Sequence, residues 1–299
     1  MIKLFEKVIR ENLKDHLNKD DFPLNYLKYS TVTSGAGLND KVIFLVFKNR
    51  SSVPSLCLKT VRNYEAKEAV SRNFNNLKKL NALTVGSSYD RLFAQALYLH
   101  DDGENIFSIE TACIGKRVNR DKKKLRTVVE DYISFQEYLA KSGGDSLRNM
   151  EQMAKETVIK SGLNEEDQHK LLEYIAEFAR IEARLPRIIQ HGDLTLDNLL
   201  SSENGLCIID YDFVGSSDIP GFDLFGLFRR FNKADLLKLC KEYFPIYFEK
   251  IGGKFKGKDY RGLWFLYHLI EHTQGRLPSL KDTSSERIIS DFEHLYPKL

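Results

Sequence analysis

The strongest constraint on the fold of this chain is a short β-rich island inside a stretch that is otherwise helical. Apolar residues recur at helical spacing over most of the sequence beyond Gly115, but residues 188–214 consist of apolar, β-rich runs separated by a turn. Polar side chains follow these runs, with Asp193 and Asn198 in one loop and Asp210 after the next run. This pattern indicates a mixed α+β protein whose island carries polar groups at the strand ends.

The first 112 residues have the pattern of an antiparallel sheet accompanied by helices. Short β-rich runs between turn-forming residues predict strands, and apolar residues at helical spacing predict helices. The predicted strands are residues 29–33, 41–47, 55–60, 92–99 and 106–111, and the predicted helices are residues 2–17 and 64–83. We therefore expect a five-stranded antiparallel N-terminal lobe over residues 1–112.

The remaining residues, 113–299, are predicted to form a mainly helical C-terminal lobe that contains the island. Its helices are predicted at residues 122–141, 146–160, 165–185, 233–251, 260–274 and 284–295. A sheet-rich part followed by a helical part is typical of an α+β fold with two lobes.

Charge and hydropathy limit the partners of the chain. The formal net charge of +3 over 299 residues is close to neutral, so no whole-molecule field favours nucleic acid as a partner. The N-terminal segment lacks the apolar stretch of a secretory signal, and no apolar run is long enough to span a bilayer. The sequence predicts a cytoplasmic protein without a transmembrane segment, and it leaves the oligomeric state open.

The four cysteines give little sign of a metal site or a disulfide. Cys57, Cys113, Cys207 and Cys240 are widely spaced, have apolar neighbours and form no CxxC pair. We therefore expect reduced, buried thiols.

Three polar residues of the island have the chemistry that phosphoryl transfer needs. This reaction requires a carboxylate that orients the acceptor hydroxyl and metal ions that neutralise phosphate charge. Asp193 could be such a carboxylate, and Asn198 and Asp210 offer the hard oxygen ligands that Mg²⁺ prefers. Each residue taken alone would suit an ordinary turn or helix cap, but the joint pattern favours a kinase site.

The segment from His191 through Gly192 and Asp193 to Asn198 resembles the HGDxxxxN catalytic loop of the aminoglycoside phosphotransferase and choline kinase family. The run that ends at Asp210 resembles the IDxE-like metal strand of the same family, whose fold is protein-kinase-like. The resemblance implies that Asp193 is the catalytic base, that His191 braces the loop, and that Asn198 and Asp210 bind Mg²⁺.

Two further acidic residues extend the resemblance and have supporting roles in it. Asp212 stands where the family often has Glu. The segment 214–225 resembles the family's GDPxxDLA ending, which implies that Asp223 is a buried carboxylate that buttresses the catalytic loop. Read without the family, Asp223 is a helix N-cap, and both interpretations can hold together.

Lys59 and a glycine-containing turn are the candidate nucleotide contacts of the N-terminal lobe. Lys59 follows a β-rich run, as the nucleotide lysine does in kinase-like folds, and would neutralise the α- and β-phosphates of ATP or GTP. Ser34, Gly35 and Gly37 lie between two predicted strands. They either cover the phosphates with backbone N–H groups or form an ordinary hairpin.

The segment 109–112 follows a predicted strand and resembles the hinge of kinase-like folds. Backbone C=O and N–H groups of such a hinge read the edge of a purine. The resemblance implies main-chain contacts to the nucleotide from Glu110 and Ala112.

One position departs from the family pattern. The family supplies a helix Glu that pairs with the nucleotide lysine, and Asn73 stands at that position in this chain. Glu65 and Glu68, one or two turns earlier, are the candidate substitutes. The departure motivates an alternative function, that of a catalytically weak nucleotide-binding pseudokinase or scaffold.

The catalytic segment favours a small-molecule acceptor over a protein. Only twelve residues, 211–222, separate Asp210 from Asp223, which leaves no room for an activation loop of the usual kind. A protein kinase would also read HRDLK where this chain has Gly192 after the histidine and Thr195 further along the loop. We expect Mg²⁺-dependent transfer of the γ-phosphate of ATP or GTP to a hydroxyl of a small molecule.

The acceptor is predicted only by class, as an amino alcohol such as choline, a sugar or glycan intermediate, or an aminoglycoside. The candidate acceptor contacts share one helical spacing, and they are Trp264, Tyr267, His268 and Glu271. Aromatic and acidic groups together could cage a quaternary ammonium or grip a sugar ring. Core packing with one polar edge explains the same spacing.

Overall fold

The structure, a computed structural model, describes residues 2–30, 41–118, 122–142, 150–160, 164–182, 185–202, 205–228 and 231–253. The chain divides into two compact units. The first unit comprises Met1–Lys124 and Leu196–Phe213, and the second unit comprises Leu125–Thr195 and Val214–Leu299.

A five-stranded antiparallel sheet with the order β1-β2-β3-β5-β4 is the centre of the first unit. Two helices pack on it, α1 (Ile2–Asn12) and α2 (Lys67–Thr84). The strands are β1 (Asn25–Ser30), β2 (Lys41–Phe47), β3 (Pro54–Val61), β4 (Ala96–Asp101) and β5 (Ile106–Thr111).

The two faces of this sheet differ in character. One face packs on α1, where the Phe5 ring centroid lies 5.3 Å from that of Phe44 and 4.8 Å from that of Phe107. Successive side chains of a strand point to opposite faces, so residues at odd positions of β2 and β3 belong to the other face. Lys41 and Lys59 therefore lie on the face that packs on α2.

A smaller antiparallel sheet in the first unit has the order β6-β7-β8 and contains the island. Its strands are β6 (Lys116–Arg117), β7 (Leu199–Ser202) and β8 (Gly205–Ile208). Leu199 pairs with Ile208, and the Ile209 N–H donates to the Asn198 carbonyl oxygen at 2.9 Å. Asn198 before β7 and Asp210 after β8 thus lie at the same end of this hairpin.

Helices dominate the described part of the second unit. They are α3 (Lys122–Ser142), which begins in the first unit, α4 (Met150–Lys160), α5 (Glu165–Glu182), α6 (Phe222–Phe228) and α7 (Lys233–Lys250). Buried aromatic side chains of α6 and α7 pack together, with the ring centroids of Phe228 and Phe244 6.1 Å apart. No helix in the described ranges is long and apolar enough to cross a membrane.

The predicted α+β class and five-stranded antiparallel sheet are confirmed, and β2 and β5 have the predicted bounds. The predicted strand 92–99 begins only at Ala96. Its first residues lie beside β8 instead, where the Ile208 N–H donates to the Leu92 carbonyl oxygen at 2.8 Å. The Asn81 side chain binds the Ala94 carbonyl oxygen and the Ala96 N–H, both at 2.8 Å. The first helix ends at Asn12 rather than residue 17. The helices predicted at 260–274 and 284–295 lie outside the described residues.

The prediction of four reduced thiols is wrong for one pair of cysteines. Cys113 and Cys207 form a disulfide with Cα atoms 6.2 Å apart, although 94 positions separate them in the sequence. The fold brings the segment after β5 beside β8, a proximity that spacing along the chain does not reveal. Cys57 and Cys240 are free and buried, as predicted.

Candidate active site

Lys59 on β3 is held by two buried partners. Its ammonium lies 2.9 Å from Glu110 Oε1 on the neighbouring strand β5 and donates to Asn73 Oδ1 on α2 at 3.0 Å. Cys57 pairs with Glu110 across the two strands, which places the carboxylate on the same face as Lys59, one step along the sheet. All three side chains are buried.

The ion pair keeps Lys59 charged. Burial is the largest single effect and lowers the pKa of the Lys59 ammonium, but the Glu110 carboxylate, together with Cys57, Tyr211 and Asp210, raises the pKa above its ordinary value. The ammonium also lies 4.9 Å from the centre of the Tyr211 ring, whose π-face favours a positive charge. Lys59 is thus a fixed cation at physiological pH.

The acidic partner of Lys59 is not one of the predicted substitutes. Glu65 and Glu68 are exposed, whereas Glu110 supplies the carboxylate from the sheet. The prediction of Glu65 or Glu68 is therefore wrong. The prediction failed because β3 pairs with β5, which brings Glu110 beside Lys59. The distance between these two residues along the sequence does not indicate this pairing.

Asn73 connects Lys59 to the acidic residues after β8. Its Oδ1 accepts from Lys59, while its Nδ2 donates to Asp212 Oδ1 at 2.7 Å and to Asp210 Oδ1 at 3.5 Å. An amide can accept and donate at once, which a glutamate at this position could not do. Asn73 therefore bridges a cation and a carboxylate pair from a single buried position.

Asp210 and Asp212 share a second lysine. Lys41 Nζ at the start of β2 lies 3.1 Å from Asp210 Oδ1 and 2.5 Å from Asp212 Oδ2. Asp210 has a φ of +68°, a conformation that is uncommon for residues other than glycine. Asn76 on α2 donates to the Tyr211 carbonyl oxygen at 2.7 Å and so holds the backbone between the two aspartates.

Lys41 is a site residue that was not predicted from the sequence. Its position at the end of a glycine-containing turn carries no motif, and it is one of many lysines. A signal did exist in the alternation of β2, which places Lys41 on the same face as Lys59 once β2 is paired with β3.

A separate network supports the predicted catalytic loop within the second unit. The Asp223 carboxylate, in the first turn of α6, accepts the His191 N–H at 2.6 Å and the Gly192 N–H at 2.7 Å. The Tyr132 hydroxyl of α3 donates to the same carboxylate. Gly192 has a φ of +82°, which glycine adopts without strain. Asp223 thus contacts the loop that it was predicted to buttress.

Burial raises the pKa of Asp223 above its ordinary value, while the electrostatic effect of the nearby His191 and the hydrogen bonds from Tyr132, Gly192 and His191 oppose this rise. The His191 residue is buried, and the neighbouring Asp193 is half-buried. The loop therefore presents Asp193 from a backbone that a buried carboxylate fixes.

The other predicted nucleotide contacts have different placements. Glu110 is an inner residue of the large sheet, and the Ala112 N–H donates to the Ser55 carbonyl oxygen at 3.0 Å. Their predicted main-chain contacts with a purine stay a prediction. The remaining predicted residues lie outside the described ranges, and they are Ser34, Gly35 and Gly37 of the turn and Trp264, Tyr267, His268 and Glu271 of the acceptor site.

The residues around Asp210 fit a hard divalent cation. No group of three or more His, Cys, Asp or Glu side chains suited to a metal occurs within the described residues. Mg²⁺ nevertheless commonly uses one or two carboxylates and takes its other oxygens from water and phosphate. Asp210 and Asp212 already gather around one positively charged atom, Lys41 Nζ, so their oxygens can converge on a cation.

The fold is that of kinase-like phosphotransferases. An aminoglycoside phosphotransferase from Streptomyces rimosus, solved with ADP and streptomycin, is similar with a TM-score of 0.52 and 16% identity over 90% of this chain and 99% of that chain. A choline kinase from Cryptosporidium parvum Iowa II has a TM-score of 0.53 and 15% identity over 99% and 94%, respectively. An aminoglycoside 2′-phosphotransferase variant solved with GDP has a TM-score of 0.58 and 15% identity over 98% and 95%.

A family match adds to the likeness of fold. The model of the phosphotransferase enzyme family matches residues 134–250, a segment that includes His191, Asp193, Asn198 and Asp210. The resemblance to this family, predicted from the catalytic motif, is confirmed, and the match supports a phosphotransferase. No curated protein sequence matches the chain.

Proposed function

We propose that this protein is a small-molecule kinase that transfers the γ-phosphate of ATP or GTP to a hydroxyl group of a small acceptor. The observation that carries the proposal is the network in which the buried Asn73 joins the buried Lys59 to the partly exposed Asp212 and Asp210. It links a lysine suited to nucleotide phosphates with carboxylates suited to a metal. The segment that matches the family also contains the loop with Asp193, the carboxylate that would orient the acceptor hydroxyl.

Lys59 has the role of the nucleotide lysine in this proposal. Its ammonium neutralises charge on the α- and β-phosphates, and its pairing with Glu110 keeps it protonated and in place. Asn198 and Asp210 hold Mg²⁺, with Asp212 beside them. When bound, the ion neutralises the charge of the phosphate oxygens and so favours attack by the acceptor.

Asp193 is the proposed base. Its carboxylate accepts a hydrogen bond from the acceptor hydroxyl and takes the proton as that oxygen bonds to the γ-phosphorus. The bond from the γ-phosphorus to the bridging oxygen of the nucleotide breaks, and ADP or GDP leaves with the electron pair. His191 and Asp223 keep the loop backbone in position, since Asp223 accepts both loop N–H groups.

The donor and acceptor classes follow those of proteins with the same fold. The structures with ADP and with GDP support either purine nucleotide as donor. Streptomycin in one of them and the choline kinase support an aminoglycoside or an amino alcohol as acceptor, beside the sugar or glycan intermediate that the sequence also permits. Trp264, Tyr267, His268 and Glu271 stay the candidate acceptor contacts.

The observation that motivated the pseudokinase or scaffold alternative has another explanation in the structure. That alternative rested on Asn73, which leaves Lys59 without the carboxylate that the family pattern supplies from the helix. Glu110 provides a carboxylate at 2.9 Å from the neighbouring strand β5. A lysine that is charged and held in this way suits a nucleotide site, so Asn73 no longer argues against catalysis.

The proposal is tested by incubating the protein with γ-labelled ATP or GTP, Mg²⁺ and a panel of acceptors: choline, ethanolamine, simple sugars, and aminoglycosides including streptomycin. We expect label in at least one acceptor and none when Mg²⁺ is chelated. Tight nucleotide binding without transfer to any member of the panel would favour the scaffold instead. Failure to bind either nucleotide would contradict a nucleotide site altogether.

A further inference from the structure

Lys41 occupies a place that a metal ion would suit. Its ammonium contacts one oxygen of each aspartate, Asp210 Oδ1 and Asp212 Oδ2, and its side chain is only 11% exposed. We propose that Lys41 is a positioning residue that holds Asp210 and Asp212 together in the metal-free protein and competes with a divalent cation for them. This inference rests on the proposed function, since it assumes that Asp210 is a metal ligand.

The charge arrangement explains why an internal cation is needed. Two neighbouring carboxylates repel each other, and of this pair the side chain of Asp210 is 43% exposed whereas that of Asp212 is only 16% exposed and less screened by water. Asn73 donates hydrogen bonds to both carboxylates but carries no charge. Lys41 therefore supplies the compensating charge in the described network around these two residues.

The same geometry implies that Lys41 and a divalent cation compete for Asp210 and Asp212. Lys41 contacts the carboxylate of Asp210, the residue that would hold the metal, and an ammonium and a divalent cation cannot both lie within contact distance of this carboxylate without strong repulsion. Binding of Mg²⁺ with the nucleotide then requires the Lys41 ammonium to move off Asp210. The phosphates of the nucleotide are an anionic alternative partner for the displaced ammonium.

If the salt bridges of Lys41 had only a structural role, the expected change in metal affinity would have the opposite sign. If Lys41 only stabilised the loop after β8, its removal would disorder the aspartates and weaken metal binding. If Lys41 competes with the metal, its removal strengthens metal binding, because the carboxylates lose their internal counter-ion. The sign of the change in metal affinity separates the two roles.

The experiment measures Mn²⁺ binding by electron paramagnetic resonance in the presence of ADP, for the wild-type chain and for Lys41→Met and Lys41→Gln. We expect Mn²⁺ affinity to rise on the order of tenfold in both variants, since one adjacent positive charge is removed. Lys48→Met is the matched control, because Lys48 directly follows β2 and pairs with Asp21, 3.0 Å away, outside the site. Its Mn²⁺ affinity should equal that of the wild-type chain.

Thermal unfolding of the same proteins gives a second readout. Without divalent ions both Lys41 variants should melt below the wild-type chain, and Mg²⁺ with ADP should raise their melting temperatures more than that of the wild type. Lys41→Gln keeps a hydrogen-bond donor without the charge and serves if Lys41→Met does not fold.

Three results would overturn the inference. Equal or weaker Mn²⁺ affinity in folded Lys41 variants, with normal ADP binding, would remove the role of Lys41 and leave the proposed function intact. Failure of every variant to fold would show that Lys41 is required for the fold itself. Absence of Mn²⁺ and ADP binding in the wild-type chain would overturn the proposed function and this role together.

Discussion

The ammonium of Lys59 on β3 is paired with the carboxylate of Glu110 on β5, at 2.9 Å. Because both residues belong to neighbouring strands of one sheet, their separation is set by strand pairing rather than by the position of α2. Asn73 of α2 contributes a neutral hydrogen bond instead of a charge. The negative charge that orients Lys59 is thus supplied by a side chain of the sheet and not by one of α2.

Removing either member of this buried pair should leave the other as an uncompensated buried charge. Lys59→Met should destabilise the chain by about 3–5 kcal/mol, because it leaves the Glu110 carboxylate uncompensated. The double variant Lys59→Met with Glu110→Gln should lose less than the sum of the single losses. Urea unfolding of the four proteins measures this coupling, and additive losses would contradict a direct pair.

The pair should also make stability depend on alkaline pH. The folded chain retains the Lys59 proton at pH values where the unfolded chain has released it, because Glu110 raises the pKa of Lys59 in the folded state. The free energy of unfolding should therefore fall above the unfolded pKa of about 10.4, by up to about 1.4 kcal/mol per pH unit. Below that pH the contribution is fully present.

Unfolding measured between pH 9 and 11.5 checks this slope. Burial also raises the pKa of Tyr211, which acts in the same direction, so the wild-type curve alone does not isolate Lys59. The difference between the wild-type chain and Lys59→Met does isolate it, and a difference that stays constant over this range would count against the assignment.

Restoring the family residue at position 73 should be harmful. Asn73→Glu would put a third carboxylate beside Asp212, which now accepts the Asn73 amide at 2.7 Å, and Lys59 already has an acidic partner. We expect a loss of about 1–3 kcal/mol in unfolding free energy and weaker nucleotide binding. Asn73→Gln keeps both a donor and an acceptor and is the control.

A compensating change makes this prediction sharper. In Asn73→Glu combined with Glu110→Gln the number of carboxylates near Lys59 returns to its original value, so stability should partly recover. Asn73→Glu alone being as stable as the wild-type chain would show that Asn73 does not act as the donor to Asp212.

The support of the catalytic loop should depend on Asp223. Asp223→Ala leaves the buried N–H groups of His191 and Gly192 without their acceptor and should cost at least about 2 kcal/mol. It should also lower kcat while nucleotide affinity changes little, since Lys59 and Asp210 lie in the other unit. Tyr132→Phe removes only one donor and should have the smaller effect on both quantities. Equal kcat values for Asp223→Ala and the wild-type chain would refute the support.

The sequence predicts local structure well where one pattern decides it. The β-rich runs at residues 41–47 and 106–111, bounded by turn-forming residues, match β2 and β5. The catalytic motif likewise has Asn198 directly before β7 and Asp210 shortly after β8. These features depend on neighbours that are close in the sequence.

Long-range partners were beyond the reach of such patterns. Glu110 pairs with Lys59 across 51 positions because β5 lies beside β3, and Lys41 of the large sheet pairs across 169 positions with Asp210, which follows β8 of the small sheet. The Cys113–Cys207 disulfide depends on the same kind of pairing. No periodicity or spacing encodes these distances, and the register of the assembled sheet is needed to see them.

The role of Asp193 as the base of a kinase can be measured by single-turnover phosphate transfer with Asp193→Asn. With γ-labelled nucleotide, Mg²⁺ and an acceptor that the wild-type chain phosphorylates, we expect the transfer rate to fall by at least about 100-fold while nucleotide affinity is unchanged. A transfer rate within a few-fold of the wild-type rate would contradict the claim.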